Sequence, residues 1–175
     1  MKKLIISLFL ASGLAATAQT FVTGAEVGYL LDSEETYYSG RVGWQFKANE
    51  TYAHQLELEV GYADSRAASF KADLTPVTLN YRLSSVTSGN FGYYVGAGAG
   101  WARASLDGVG IAGPVRLHDT VFAAQGFAGV TYQATPAIGL TLGAKYIWAD
   151  DASFVGTRLK VGDDLALSAG FSIRF

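Results

Sequence analysis

No cysteine occurs among the 175 residues, which excludes a disulfide framework, thiolate chemistry and a lipidated N-terminal cysteine. Histidine is nearly as scarce. His54 and His118 are too few and too scattered to build an ordinary metal centre without cysteine. Proline appears only three times. Long apolar runs are missing as well: after the first 18 residues, nothing approaches the ~20 apolar residues of a helical membrane span. Half of the residues are nevertheless hydrophobic, so they must be spread by alternation rather than gathered in blocks. Charge is sparse and nearly balanced, with 13 basic against 15 acidic residues, and gives no footing for nucleic acid.

What is present begins with an export leader. Met1, Lys2 and Lys3 give a positive start, Leu4 to Leu14 a short apolar core, and Ala16-Thr17-Ala18 a small-x-small cleavage pattern. Residues 1–18 are read as a cleaved signal peptide and 19–175 as one domain. Losing Lys2 and Lys3 leaves 11 basic residues against 15 acidic ones, a mature charge of −4. The domain is rich in small and aromatic residues, with 21 glycines, ten tyrosines, ten phenylalanines and three tryptophans. That mixture suits a narrow barrel with small residues where walls approach and aromatic belts at two water–lipid interfaces.

Alternation supplies the elements. In the last eleven residues, Leu165, Leu167, Ala169, Phe171, Ile173 and Phe175 share one face, and Ala166, Ser168, Gly170, Ser172 and Arg174 the other. A terminal strand so apolar on one side would aggregate in water, but it fits a strand whose apolar wall meets lipid. The same period of two predicts strands over 21–31, 38–48, 54–63, 74–83, 91–101, 120–132 and 138–148, with the eighth over 165–175. Each is close to the roughly 9–11 residues that cross a bilayer at a tilt, and the count is even. The expected fold is all-β: an eight-stranded antiparallel transmembrane up-and-down barrel. Short links (49–51, 84–90, 133–136) belong at the periplasmic rim. The longer or more charged ones (32–37, 64–71, 103–119, 149–162) belong outside.

A water-soluble barrel would need an apolar interior and a polar exterior. Here Glu26, Arg41, Glu57, Glu59, Arg82 and Lys145 all share a face with glycines, while the opposite face is nearly free of charge. Polarity is therefore inverted, with charges inside and Leu, Val, Tyr and Trp outside.

Read in this way, the chain resembles the small outer-membrane barrels of the OmpA-transmembrane-domain, OmpX and opacity-protein type. The residues that carry the resemblance are the export leader, Pro76-Val-Thr-Leu-Asn-Tyr-Arg82, Tyr94-Val-Gly-Ala-Gly-Ala-Gly100, Gly129-Val-Thr-Tyr132 and Gly170-Phe-Ser-Ile-Arg-Phe175. The resemblance implies a stand-alone barrel in the outer membrane of a Gram-negative bacterium. It also implies a terminal strand, with Phe171, Ile173 and Phe175, that is read by the barrel-assembly machinery. No cofactor is implied. Partners are outer-membrane lipid and, through the outer loops, a ligand on a host or neighbouring cell; a monomer is expected.

An eight-stranded barrel is just wide enough for side chains to fill. Isolated charges in it would each cost several kcal/mol, so the inward set Glu26, Arg41, Lys47, Glu57, Glu59, Arg82 and Lys145 is expected to form an ionic plug. Glu59 is expected to bridge more than one base. Glu57 and Glu59, i and i+2 on one face, are about 6.5–7 Å apart, a spacing open to acid–base chemistry. A sealed lumen admits no substrate, however, and the adjacent bases account for the pair. A Ser–His relay is conceivable only at His118, with Ser105 and Asp119 as neighbours. The expectation is a non-enzymatic barrel that serves envelope structure or adhesion through its loops, with a narrow channel for ions or small solutes as the alternative.

Overall fold

The computed structural model describes residues 19–47, 51–67, 70–85, 89–110, 113–154, 157–159 and 163–175. The leader, 1–18, lies outside the described residues. Ten strands follow one another: β1 Gln19–Leu30, β2 Glu35–Lys47, β3 Tyr52–Ala67, β4 Phe70–Ser85, β5 Phe91–Gly110, β6 Gly113–Gln133, β7 Ile138–Ala149, β8 Ala152–Phe154, β9 Thr157–Leu159 and β10 Asp163–Arg174. β8 and β9 pair with each other. The other eight close a barrel in which each strand pairs antiparallel with its sequence neighbours and β10 pairs with β1. Closure gives every strand two partners, the only way a sheet can satisfy its backbone in hydrocarbon.

The pairing fixes the barrel's stagger. A walk around the sheet from Phe21 passes Trp44, Leu56, Tyr81, Ala97, Gly126, Tyr146 and Leu165. It returns to the first strand at Leu31, whose amide donates to Leu165, ten residues beyond the start. A stagger of ten over eight strands tilts them by about 40° and makes the backbone cylinder about 16 Å across. Side chains can fill that width.

The expected phase of every strand is found. Trp44, Leu79, Trp101, Leu142 and Leu167 are all more than half exposed, on one continuous outer wall, while Glu57 and Asn80 are wholly buried on the inner one. Aromatic pairs line the wall toward both ends: Phe21 with Trp44 at 5.9 Å and Phe91 with Tyr132 at 4.9 Å on one side, Phe122 with Trp148 at 5.8 Å on the other. The terminal residue completes the seam, with the Phe175 amide donating to the Phe21 carbonyl at 2.9 Å and the two rings 6.2 Å apart.

The outer connections differ from expectation. The described residues of 103–119 form a ladder, not a loop: β5 and β6 stay paired from Arg103↔Thr120 out to Gly110↔Gly113. Within 64–71, β3 and β4 likewise remain in register to Ala67↔Phe70. Within 149–162 lies the small β8–β9 hairpin. Of 32–37, only 32–34 belongs to the turn, which begins at Leu31, and β2 starts at Glu35. One physical reason covers the three in which barrel strands run on; β8 and β9 form a sheet of their own. Hydropathy alternation ends where lipid ends, but backbone groups still gain by pairing with a strand already alongside. The first turn is held from another strand. The Asp164 carboxylate accepts from the amides of Asp32 and Ser33 at 3.0 Å and from Ser33 Oγ at 2.7 Å.

Candidate functional site

The inner wall brings six of the seven anticipated charges into one chain of alternating sign: Arg82, Glu57, Arg41, Glu26, Lys145, Glu59. Arg82 Nε lies 3.0 Å from Glu57 Oε1, close enough to pair electrostatically although not aligned as a hydrogen bond. Arg41 Nε lies 3.6 Å from the same oxygen. The other side of that guanidinium, Nη1, donates to Glu26 Oε2 at 2.9 Å. Lys145 Nζ then donates to both Glu26 and Glu59. The chain runs through β4, β3, β2, β1 and β7 and returns to β3 across the lumen. Three carboxylates face three cations, so the buried set is neutral, which is the condition for keeping charges out of water. Lys47 lies on β2, and its side chain is outside the described residues.

The roles within the chain differ from those expected. Glu26 and Glu57 each bridge two bases, whereas Glu59 meets one base, Lys145, among the described residues. Neutral donors satisfy the rest of Glu59: Tyr37 Oη at 3.1 Å, Asn80 Nδ2 at 2.9 Å and Gln125 Nε2 at 3.1 Å. Gln125 also donates to Thr78 and to Asn80 Oδ1, tying β6 into the same network. Gln55 donates to Glu57 at 2.6 Å.

Tyr37 is the residue that sequence reasoning missed, having placed it in a loop. It is wholly buried, and Lys145 Nζ lies 5.2 Å from its ring centre. The signal was the alternation Tyr37-x-Ser39-x-Arg41, one step beyond where β2 was expected to begin. Arg82 is flanked by Tyr94 and Phe127, at 4.3 and 5.0 Å from their ring centres. Cation–π attraction therefore offsets part of its burial.

Glycine makes room for these large groups. A Cβ on Gly61 would strike Tyr37, one on Gly96 Phe127, one on Gly98 Asn80 and one on Gly143 Tyr94. Beyond the charges, toward the long hairpins, the lumen turns apolar. Ala102, Ala104, Val121, Ala123 and Ala149 form one buried cluster, and Leu30, Tyr37, Ala63, Ile147 and Ala166 another.

The remaining anticipated residues lie elsewhere. Phe171, Ile173 and Phe175 follow the outward phase of the closing seam, and Phe175 is 72% exposed. Ser105 and His118 are direct partners across β5 and β6, both on the outer phase. They share no hydrogen bond among the described residues, and Asp119 belongs to the opposite phase, so no nucleophile–base–acid relay is assembled. His54 lies on the outer wall near the short connections.

No protein-family model matches the chain, and neither does any curated protein. Solved structures do. Neisserial surface protein A is 18% identical with a TM-score of 0.62, over 93% of this chain and 100% of that one. Ail, the attachment invasion locus protein of Yersinia pestis, is 11% identical with a TM-score of 0.60, over 90% and 97%. The outer membrane enzyme PagL is 13% identical with a TM-score of 0.51, over 87% and 98%. Identities this low speak for the fold alone, and the chain has the fold of the small eight-stranded outer-membrane barrels.

Proposed function

We propose that the chain is an integral protein of a Gram-negative outer membrane that works as a closed barrel. It contributes to envelope structure or to adhesion through its outer hairpins, and it neither passes solute nor catalyses a reaction. One observation carries this reading: six buried charges joined in a neutral chain across a lumen about 16 Å wide at the backbone. The apolar clusters beyond them add a second barrier, because an apolar constriction excludes water and the ions that need it. The long β3–β4 and β5–β6 hairpins supply the surface for a partner. The same scaffold serves Ail, whose name records attachment. The outward aromatic ending Phe171, Ile173 and Phe175 is the feature on which recognition by the assembly machinery would act.

Planar-bilayer recording of the refolded mature chain tests the central point. Silence at neutral pH is the expected result, and sustained unitary current would overturn the closed barrel in favour of a narrow pore. Replacing 104–118 by a short turn separates the two roles, since adhesion requires that the still-folded barrel lose cell binding. Catalysis is tested by the mass of lipid A from expressing cells: a shift that disappears in His118→Ala would contradict a non-enzymatic barrel.

A further inference from the structure

Within the lipid-facing belt, one described imidazole stands among the apolar side chains. His54 lies opposite Phe46 on β2 and Leu83 on β4. Its ring stacks on Phe46 with centroids 5.7 Å apart and planes 7° from parallel. Its Nδ1 shares a hydrogen bond with Tyr81 Oη. Next to it, nearer the strand ends, the hydroxyls of Tyr52 and Tyr93 meet at 3.2 Å. β3 begins at Tyr52 and β4 ends at Ser85, so the ring sits at the edge of the belt, on the side of the short connections.

Two contacts fix this ring and leave one atom unmatched. We take Tyr81 as the donor to Nδ1, the tautomer that places the neutral ring's proton on Nε2. Among the described residues Nε2 makes no hydrogen bond, and the polar group in contact with the ring is the Tyr81 hydroxyl. A polar N–H at the margin of hydrocarbon is costly unless paired. At that depth, the acceptors a bilayer offers are the oxygens of its own headgroups.

We propose that His54, held in place by Phe46 and Tyr81, is a docking site for the headgroup phosphate of a phospholipid in the periplasmic leaflet. The inference rests on the membrane reading above and on the short connections facing the periplasm. Phosphodiester oxygens accept from Nε2, while Phe46 and Leu83 flank the adjoining acyl region.

The test uses the mature chain, labelled with nitrogen-15 at histidine, in vesicles of phosphatidylethanolamine and phosphatidylglycerol. The readout is nitrogen–phosphorus dipolar dephasing in solid-state NMR. The His54 Nε2 signal is expected to dephase against lipid phosphorus-31. Phospholipid retained through detergent extraction is expected to fall about tenfold in His54→Phe. Absence of dephasing in the wild-type barrel would overturn the proposal. Equal dephasing by inorganic phosphate in detergent would also overturn it, by assigning the site to a free anion. Insertion is read separately from heat-modifiable gel migration. A barrel that inserts without His54 dephasing therefore defeats this inference alone, and one that does not insert defeats the membrane reading.

Discussion

Glu57 is completely buried, yet three groups gather around one of its oxygens: Gln55 donates a hydrogen bond at 2.6 Å, while Arg82 and Arg41 pair with it electrostatically at 3.0 and 3.6 Å. Neutralising it would leave the buried Arg82 with no acid paired to it among the described residues, and Arg41 with Glu26 alone. Removing one partner of such a buried pair is far costlier than the pair is worth. Glu57→Gln is therefore expected to destabilise the barrel by about 3–5 kcal/mol in urea unfolding from vesicles. Gly98 poses the converse problem. An added Cβ there would strike Asn80 and approach the Leu79 carbonyl at 2.7 Å, so Asn80 could not keep its bond to Glu59. Gly98→Ala is expected to cost about 1–3 kcal/mol by overpacking, in the same assay. Gly40 faces outward with nothing near its missing Cβ, and Ala there should be neutral by comparison. The inward charges were legible in the sequence because each falls in phase with glycines. Their pairing was not. Which base reaches which acid across the lumen depends on a stagger of ten residues, a property of the closed sheet that no single strand encodes.

At the scale of the element, strand phase could be read directly but strand length could not. β5 and β6 were expected to end near Trp101 and Thr120, where alternation between apolar and small residues fades. They continue as a paired ladder to Gly110 and Gly113. Glycines in 104–118 read as loop signals, but in a two-stranded ladder they need only an extended backbone. The start of β2 was misjudged for a related reason: Glu34, at φ 58°, completes the turn one residue before the ladder resumes. That turn depends on β10. Asp164→Ala removes the acceptor of two backbone amides and a hydroxyl. The expected result is faster hydrogen exchange at Asp32 and Ser33, corresponding to about 1.5–3 kcal/mol for hydrogen bonds to a charged group. Exchange in the β4–β5 ladder should not change. Equal protection at Asp32 and Ser33 in the variant would mean that the turn holds itself.

The whole molecule is a sheet turned inside out relative to a water-soluble protein. Its core is a neutral chain of charges topped by two apolar clusters, and its surface is a belt of Leu, Val, Trp, Tyr and Phe. The arrangement explains why half of the chain can be hydrophobic with no long apolar run, and why the charged minority falls on one phase. Lacking cysteine, the chain can take one thiol at a time without background. The most direct test places a single cysteine at Leu56, Leu79, Leu142 or Leu167 in turn, attaches a spin label, and compares its relaxation by membrane-dissolved oxygen and by a water-soluble nickel chelate in vesicles. All four labels should respond to oxygen and be shielded from the chelate; if the chelate reached them as freely as it reaches a label at Asp151 in the outer connections, the inverted barrel would be wrong.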